Sequence, residues 1–390
     1  MKNLIFILII FQAILLSCVD GKQPADNVIT VDVTKNNFPK KELIIQDFMD
    51  VEYIPLETTD DFINQGLVQA IGKEIIVVIN RTDDGNIYVY DRTGKALRMI
   101  NRKGQGGEEY TYITKIILDE DNNEIFINDH YVKKIFVYDL YGNFKRSFAY
   151  RENTKGWPYT DMSNYNKTNL ICFDEYNDKG RAFVLISKLD GSITKKIDIP
   201  VKVLKFLMKL QFDEANNRVN GMAPDPYNTI LPFNGGKILL DVFSDTIYTF
   251  MPNKTLRPFI VRTPSVKSMD PEVVLILRLL SDRYYFMETV KNEFNFESNT
   301  GFSKTYLMYD NQERSLFRYT VYNGDFTIKK EMYMSLLRPA NDENESWQRL
   351  DAPQLVEAFQ VGALKGRLKE IASTLNEESN PVIMLIKPKK

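Results

Sequence analysis

The chain has 390 residues, of which 44% are hydrophobic and 26% are charged, and its formal net charge is −2. This composition is typical of a globular protein, and the near-neutral charge excludes the basic surface on which nucleic-acid binding depends. One histidine and two cysteines exclude a zinc site built from Cys and His, a disulfide scaffold and most histidine-based catalysis. Aromatic residues reach 12%, mostly as Tyr and Phe, and these residues favour β-strands.

The N-terminus has the pattern of a bacterial export signal. A basic start is followed by an apolar segment from Leu4 to Leu16, which is too short to span a bilayer. The segment ends in Leu-Leu-Ser-Cys18, which resembles the lipobox of bacterial lipoproteins, although Leu16 stands where a small residue is more common. The resemblance implies cleavage before Cys18 and a lipid on its thiol. The alternative is an ordinary signal peptide in which Cys18 is incidental.

Lipidation of Cys18 would have consequences for location and for redox chemistry. Several acyl chains hold a protein firmly to a membrane, because each buried methylene adds about 0.8 kcal/mol. We therefore predict a protein anchored through Cys18 in the cell envelope, at the outer membrane, with the periplasmic side and the cell surface both left open. Cys172 would then be the one free thiol of the mature chain. It lies in an apolar run with no histidine nearby and is predicted to be buried and structural.

A unit of about four dozen residues recurs in the rest of the chain. Residues 86–95 match residues 134–143, so that Gly94 and Gly142 are 48 positions apart. A third copy lies at residues 182–191. Weaker copies lie at residues 245–253 and 316–324. Each copy has a strand with alternating Ile, Tyr and Val, a polar turn with Gly, and a second strand, which is the signal of a β-hairpin.

The repeats predict an all-β, six-bladed β-propeller. Residues 116–128 contain a strand, an acidic turn and a strand, so each unit supplies about four strands, which is the size of a propeller blade. A blade cannot bury its faces alone, so neighbouring blades must cover them. Five visible units are flanked by strands at residues 51–57 and 380–386. We predict that both terminal strands enter one closing blade, because closure removes a fraying sheet edge.

The chain divides into three predicted segments. Residues 1–17 are a lipoprotein signal peptide, residues 18–42 a lipid-anchored tether, and residues 43–390 the propeller. A few helices are predicted as insertions. Residues 273–280 follow an Asp-Pro pair typical of a helix start, while residues 201–212 and 353–375 have apolar residues at helical spacing.

The sequence resembles the six-bladed β-propeller lipoproteins of Bacteroides-type bacteria and, more distantly, NHL-type repeats. The lipobox and three further motifs carry the resemblance: residues 53–58 (Tyr-Ile-Pro-Leu-Glu-Thr), residues 104–110 (Gly-Gln-Gly-Gly-Glu-Glu-Tyr) and residues 380–385 (Asn-Pro-Val-Ile-Met-Leu). In the second motif Gly107 stands where the family usually has Pro, and one Glu is additional. The resemblance implies fold and compartment, and it implies no particular activity.

Five residues in two loops are the candidate ligand-binding residues. Trp157 and Tyr159 lie in an aromatic loop and are suited to stacking on a sugar ring or a partner protein, although loop aromatics also serve as anchors against a blade. Asp129, His130 and Tyr131 follow a predicted strand. His130 has no visible nucleophile partner, so no catalytic residue is predicted.

Two further patterns have both a structural and a functional interpretation. Asp119, Asp129, Asp174 and Asp241 lie at predicted strand ends and offer the oxygen ligands that Ca²⁺ prefers, but acidic turns have the same composition. The glycines of residues 104–107 could cradle an anion, yet the loop lies between strands rather than before a helix. We prefer the structural interpretation of both patterns and predict no metal or cofactor.

The sequence therefore favours a lipid-anchored envelope protein that binds a ligand and does no chemistry. A glycan, a peptide or an envelope protein is the expected partner, recognised by loops on one face of a rigid ring. The alternative is a propeller enzyme, either a Ca²⁺-dependent lactone hydrolase or a glycan-active hydrolase or lyase. A structural subunit of an envelope complex is a third interpretation.

Overall fold

The computed structural model describes residues 28–81, 83–150, 158–175, 182–199, 205–214 and 216–389. Within these residues, six sheets of four or more strands form the six blades of a β-propeller, as the sequence predicts. Two further sheets are short two-stranded hairpins. None of the helices in this part of the chain is long and apolar enough to cross a membrane.

The elements follow one another in a regular order. The N-terminal segment forms β1 (Ile29–Asp32), β2 (Lys40–Ile44), α1 (Ile45–Phe48) and β3 (Met49–Pro55). Blade 1 contains β4 (Leu67–Ile71), β5 (Ile75–Ile79), β6 (Asn86–Asp91) and β7 (Ala96–Asn101). Blade 2 contains β8 (Lys115–Asp119), β9 (Glu124–Asp129), β10 (Lys134–Asp139) and β11 (Phe144–Ala149). Blade 3 contains β12 (Asp161–Asn164), β13 (Asn169–Asp174), β14 (Ala182–Ser187) and β15 (Ile193–Ile197).

The second half of the ring carries the insertions. A hairpin of β16 (Lys209–Asp213) and β17 (Arg218–Met222) precedes blade 4, which contains β18 (Ile230–Phe233), β19 (Gly236–Leu239), β20 (Thr246–Phe250) and β21 (Leu256–Thr263). Blade 5 is built from β22 (Val273–Leu280), β23 (Tyr284–Lys291), the small hairpin β24 (Phe294–Asn295) and β25 (Thr300–Gly301), then β26 (Lys304–Asp310), β27 (Ser315–Asn323) and β28 (Lys330–Met332). Blade 6 contains β29 (Arg338–Pro339), β30 (Ser346–Leu350), α2 (Ala352–Gln360), α3 (Gly366–Ala372) and β31 (Val382–Pro388).

Each blade begins at its innermost strand, and the inner strands β4, β8, β12 and β18 lie beside one another around the axis. The two ends of the ring therefore differ. At one end, which we call the turn face, each inner strand turns into the second strand of its blade. At the other end, which we call the linker face, the chain passes from one blade to the next.

The ring is closed by strands from both termini. In blade 6 the outer strand β3 pairs antiparallel with β31, from Met49 opposite Pro388 to Pro55 opposite Val382. This pairing confirms the predicted shared closing blade. Seven consecutive residue pairs hold the N-terminal strand to the C-terminal one, so the two ends of the propeller are fastened to each other within one sheet.

Two more N-terminal strands lie outside neighbouring blades. β1 pairs in parallel with β21 of blade 4, and β2 pairs in parallel with β27 of blade 5. Residues 29–32 and 40–42, which the sequence analysis assigned to the tether, therefore belong to the propeller. Their backbone groups cover outer edges of blades 4 and 5, and Ile29 and Val31 of β1 are buried in the core.

The predicted helices were correct in one case of three. Residues 353–375 contain α2 and α3, whose Leu355, Leu368 and Ile371 pack against the closing blade. Residues 273–280 form strand β22 instead of a helix, because a short apolar run also suits a strand buried on both faces. Residues 209–212 of the predicted 201–212 helix lie in β16, and residues 201–204 lie outside the described residues.

The repeated hairpin turns contain glycine because the backbone there is left-handed. Gly94 and Gly142 have φ angles of 88° and 86°. At Gly94 a Cβ atom would also lie 2.1 Å from the backbone oxygen of Pro55. The copy predicted at residues 316–324 differs, since it forms the fourth strand β27 of its blade rather than the third.

Hydrophobic clusters between adjacent blades form the core. Between blades 2 and 3, Phe126 and Ile135 pack with Leu170 and Cys172, all fully buried or nearly so. Burial raises the pKa of the Cys172 thiol well above its ordinary value. Cys172 is thus a buried structural thiol, as predicted.

Candidate functional site

A cavity of about 780 Å³ lies on the axis of the ring and extends to the turn face. Its walls come from the innermost strands of five blades, through Gln69, Ile116, Met162, Ile230 and Pro339. The first turns of blades 1, 2 and 3 form part of its rim. A concave site with converging polar groups is the usual place for a ligand, so this cavity is the candidate functional site.

Charged side chains of both signs line the cavity. The cations are Lys73, Arg92, Lys115, Lys167 and Lys188. The carboxylates are Asp119, Glu120, Asp121, Asp342, Glu343 and Glu345. Among these described lining residues Tyr165 is the one aromatic side chain. The arrangement is suited to ion pairing and hydrogen bonding more than to stacking on a ring.

One ion pair in the cavity wall joins blades 2 and 3. Lys188 Nζ donates a hydrogen bond to Asp119 Oδ2 over 2.6 Å, and the two side chains are 7% and 6% exposed. Asn122 Nδ2 donates to the same oxygen over 2.8 Å. A buried ion pair adds little net stability, because both charges lose their water. Its presence in a cavity wall is therefore better explained by recognition or by blade orientation.

A second pair joins a lysine buried beside the cavity to a carboxylate that lines it. Lys237 belongs to β19 in blade 4, is 3% exposed, and donates a hydrogen bond to Ser163 Oγ over 3.0 Å. It forms an ion pair with Asp342, whose side chain is 54% exposed. Burial lowers the pKa of Lys237, while the negative charge of Asp342 acts in the opposite direction.

A third pair lies at the start of two inner strands. Lys115 is ion-paired with Asp161, and the remaining carboxylate oxygen of Asp161 accepts hydrogen bonds from the backbone N–H groups of Thr229 at 2.9 Å and Ile230 at 3.1 Å. These residues belong to blades 2, 3 and 4 or to the linker before blade 4. The Asp161 carboxylate therefore fixes the relative position of three inner strands.

The sequence-predicted residues lie elsewhere, at the linker face, and Trp157 and Cys18 fall outside the described residues. Tyr159 is 4% exposed and packs edge-on against Tyr150, with ring centroids 5.4 Å apart. Tyr131 is 68% exposed and contacts Tyr112. The structure thus brings an exposed and a buried aromatic side chain to the same end of blade 2, and their role in binding stays a prediction.

His130 and Asp129 have structural contacts in this region. His130 Nε2 lies 3.2 Å from Asn128 Nδ2, and burial lowers the pKa of His130. Asp129 is fully buried, and its carboxylate accepts hydrogen bonds from the backbone N–H groups of Thr111 at 2.7 Å and Tyr112 at 3.0 Å. Asp129 therefore holds the linker between blades 1 and 2.

The four aspartates considered as calcium ligands are divided between the two faces. Asp119 ends an inner strand at the turn face, whereas Asp129, Asp174 and Asp241 end or follow second strands at the linker face. Asp241 Oδ1 accepts a hydrogen bond from the backbone N–H of Phe243 over 3.0 Å. Among the residues that the structure describes, no group of three or more His, Cys, Asp or Glu side chains is arranged to hold a metal ion.

In the glycine-rich loop of residues 104–107, the carboxylate of Glu109 takes the place of an external anion. Glu109 Oε2 accepts a hydrogen bond from the backbone N–H of Gly106 over 2.8 Å, and a Cβ atom on Gly104 would lie 1.9 Å from that oxygen. Tyr110 is fully buried and donates to the backbone oxygen of Gly85 over 2.6 Å. Burial raises the pKa of Tyr110 to about 12. The geometry fits the predicted inter-blade turn, with Glu109 where an external anion would otherwise bind.

Comparison with known proteins identifies the family. Residues 28–387 match the family described as a domain of unknown function, DUF4934. The chain belongs to the DUF4934 family. No curated protein matches this DUF4934 member. The predicted resemblance to Bacteroides-type propeller proteins is confirmed for family and fold, and the lipid is not part of that finding.

Solved structures share the architecture at low sequence identity. A Bacteroides fragilis protein described as exported aligns with a TM-score of 0.63 and 16% identity, over 93% of this chain and 100% of that one. A DUF4221 family member from Bacteroides vulgatus aligns with a TM-score of 0.46 and 9% identity, over 88% and 98%. Virginiamycin B lyase from Staphylococcus aureus aligns at 0.38 and 8%, over 86% and 99%. The first likeness bears on the fold alone.

The basic residues in and beside the cavity were not predicted from the sequence. Lys115 and Lys237 stand at the start of apolar strands, and Lys188 directly follows one. A lysine beside a run of buried apolar residues is the signal that was available. It does not distinguish a lysine that faces the axis from one that faces solvent, because that depends on how the blades pack.

Proposed function

We propose that this DUF4934 protein is an exported, lipid-anchored envelope module that binds a charged ligand in the axial cavity and does no chemistry. The N-terminal signal and Cys18 support the anchor. The exported neighbour of similar fold from Bacteroides fragilis agrees with this location. The single observation that carries the binding proposal is the axial cavity itself, where cations and carboxylates of blades 1, 2, 3 and 6 converge.

The side chains in and around the cavity are suited to recognition. Lys188, Lys115 and Lys237 each have a carboxylate partner from another blade, so their positive charges are held in fixed places. Fixed charges at the wall of a partly enclosed cavity select ligands by complementary charge. His130 and Cys172, which would be the natural bases or nucleophiles, are not among the residues that line the cavity.

The charge pattern also favours one class of ligand among those that the sequence suggested. A neutral sugar is usually held by stacking on aromatic rings, and Tyr165 is the one aromatic side chain among the described lining residues. A peptide carries carboxylates, ammonium groups and backbone amides, which match the lysines and carboxylates of the wall. We therefore assign a short peptide as the ligand, with a charged saccharide as the competing outcome of the test.

The test is calorimetric titration of the lipidated full chain in detergent with acidic, basic and neutral tripeptides and with short uronic-acid and N-acetylglucosamine oligosaccharides. At least one peptide should bind, and Lys188→Met should weaken that binding at least about tenfold, since it removes one charge-assisted contact. The matched control is Lys329→Met, an exposed lysine paired with Glu42 on the outside of blade 5.

Three outcomes would contradict the proposal. They are the absence of binding by every probe, a preference for a saccharide over all peptides, and equal binding by Lys188→Met and wild type. Cleavage of a probe during the titration, detected by mass spectrometry, would support the enzymatic alternative instead.

A further inference from the structure

An acidic loop of blade 6 extends across the cavity. Residues 341–345, which we call the acidic loop, have the sequence Asn-Asp-Glu-Asn-Glu and connect β29 to β30. Asp342 reaches Lys237 in blade 4, although blade 5 lies between blades 4 and 6 in the ring. At its other end Glu345 lies beside Arg92 of blade 1. The loop therefore spans the axis and contacts basic residues on opposite sides.

The acidic loop reverses the charge balance of the site. The basic groups in and beside the cavity are Lys73, Arg92, Lys115, Lys167, Lys188 and Lys237. Apart from the loop, the carboxylates are Asp119, Glu120, Asp121 and Asp161. Without the loop these described residues place six cations against four carboxylates, and the loop adds three more carboxylates. The loop thus covers a site that is otherwise basic.

The contact with Lys237 is of a kind that a ligand can replace. A buried ammonium group needs a counter-charge, because its desolvation is costly when it is left alone. Lys237 is 3% exposed, yet its counter-charge comes from Asp342, which is 54% exposed on a surface loop. A second carboxylate arriving from solvent can reach the place of Asp342 without disturbing the blades.

The contact at the other end of the loop is loose. Arg92 Nη2 lies 3.6 Å from Glu345 Oε2, whereas Arg92 Nη1 donates a 2.8 Å hydrogen bond to the backbone oxygen of Gly72. Glu345 Oε2 also accepts a 2.7 Å hydrogen bond from Asn341 Nδ2 within the loop itself. Arg92 is therefore positioned by its own blade and keeps hydrogen-bonding capacity toward a carboxylate in the cavity.

We propose that the acidic loop is an internal substitute for the ligand, and that the ligand is an acidic peptide whose carboxylates replace Asp342 on Lys237 and Glu345 on Arg92. This inference rests on the proposed function and specifies its peptide. A tethered loop competes at an effective concentration in the millimolar range, so the wild-type protein binds such a peptide weakly. The apparent affinity rises when the loop loses its charge, since a larger fraction of molecules is competent to bind.

The experiment uses the loop's own sequence as the probe. The peptide acetyl-Asn-Asp-Glu-Asn-Glu-amide, with a fluorescent label, is titrated against the full chain by fluorescence anisotropy. The D342N/E345Q variant should bind it at least about tenfold more tightly than wild type. The uncharged peptide acetyl-Asn-Asn-Gln-Asn-Gln-amide should not bind either protein, and added salt should weaken binding of the acidic one.

Two further variants keep the test decisive if D342N/E345Q fails to fold. E345Q alone leaves Lys237 with Asp342 and should bind the acidic peptide about threefold more tightly than wild type. Lys237→Met, combined with the wild-type loop, should lose binding. The control is Glu42→Gln, which neutralises an exposed carboxylate on the outside of blade 5. This variant should bind the acidic peptide as tightly as wild type does.

The outcomes separate this inference from the proposed function. Equal peptide affinity for wild type, E345Q and D342N/E345Q would overturn the internal-substitute role. Tighter binding of an acidic saccharide than of the acidic peptide by D342N/E345Q would overturn the peptide assignment. If the three affinities are equal while another peptide still depends on Lys188, the proposed function stands and the inference alone fails. If the saccharide binds more tightly, the peptide assignment of the proposed function fails as well.

Discussion

Asn380 donates its backbone N–H to Thr58 Oγ1 over 2.8 Å, although the two residues are separated by almost the whole propeller sequence. Asn380 is 2% exposed, and its side chain makes four more hydrogen bonds. Nδ2 donates to the backbone oxygens of Glu57 at 2.8 Å and Phe62 at 2.6 Å and to Tyr90 Oη at 3.4 Å, and Oδ1 accepts from the backbone N–H of Asn64 at 2.9 Å. The family-type motifs at residues 53–58 and 380–385 thus meet and fasten the closing blade to the linker that leads to blade 1.

Replacing Asn380 with Ala should destabilise the protein by about 3 kcal/mol, because buried backbone groups at Glu57, Phe62 and Asn64 lose their partner. The measurement is the free energy of unfolding from guanidinium denaturation. Asn253→Ala is the matched control, since Asn253 is exposed and caps only its own turn with Thr255. A loss below about 1 kcal/mol for Asn380→Ala would contradict the closing role given to this side chain.

The outer strand β2 is held to blade 5 by Lys41. Its Nζ lies 2.9 Å from Asp310 Oδ2 and 2.5 Å from Glu313 Oε1, over the ring of Phe317. Lys41→Met keeps the apolar contact and removes the charge, so the free energy of unfolding should fall by about 2 kcal/mol at pH 7. Lys40→Met, on the exposed side of the same strand, should change it by less than about 0.5 kcal/mol.

The effect of Lys41→Met should depend on pH. Burial alone would raise the pKa of Asp310, but hydrogen bonds from Arg283 and Lys41 outweigh it and hold that pKa well below its ordinary value. The stability that these contacts contribute is complete above the unfolded pKa of about 3.9 and is lost as the pH falls through the folded pKa. The difference between wild type and variant should therefore shrink below about pH 4. A constant difference from pH 7 to pH 2.5 would argue against this pairing.

Substitution of Tyr159 shows whether its ring in the aromatic loop packs against the blades or is available to bind a ligand. Because Tyr159 is 4% exposed and packs on Tyr150, Tyr159→Ala should cost about 3 kcal/mol of unfolding free energy. Tyr131→Ala, at a side chain that is 68% exposed, should cost less than about 1 kcal/mol. Wild-type stability for Tyr159→Ala would mean that its ring is available to a ligand after all.

The fold could be predicted because its signal is local and repeated. The hairpin with Gly94 recurs at Gly142, and each copy specifies its own strands and turn. The spacing of the copies, together with the two terminal strands, is therefore enough to predict six blades. The errors came where local patterns are ambiguous. Residues 273–280 are apolar except for Arg278, and such a run has neither the helical nor the strand period.

The site could not be predicted because it depends on contacts between distant residues. Lys237 and Asp342 are separated by 105 positions and meet only once the ring has closed around the axis. Polar residues at strand ends looked alike in the sequence. Asp129 holds the linker between blades 1 and 2, whereas Asp119 lines the cavity. The difference arises because the strand of Asp129 ends at the linker face and the strand of Asp119 ends at the turn face.

The anchor at Cys18 can be tested independently of the cavity. Cys18→Ser should abolish incorporation of labelled palmitate in cells and move the protein from the membrane fraction to the soluble fraction, because the acyl chains supply the membrane affinity. Ser17→Ala, a small-for-small change at the neighbouring position, should keep the lipid. Protease treatment of intact cells then distinguishes the two sides of the outer membrane, since only a surface-displayed propeller is digested or released. Retention of the palmitate label by Cys18→Ser would rule out this cysteine as the attachment site. A soluble wild-type protein would instead favour the ordinary signal peptide, in which case the cavity would act in a protein free in the envelope.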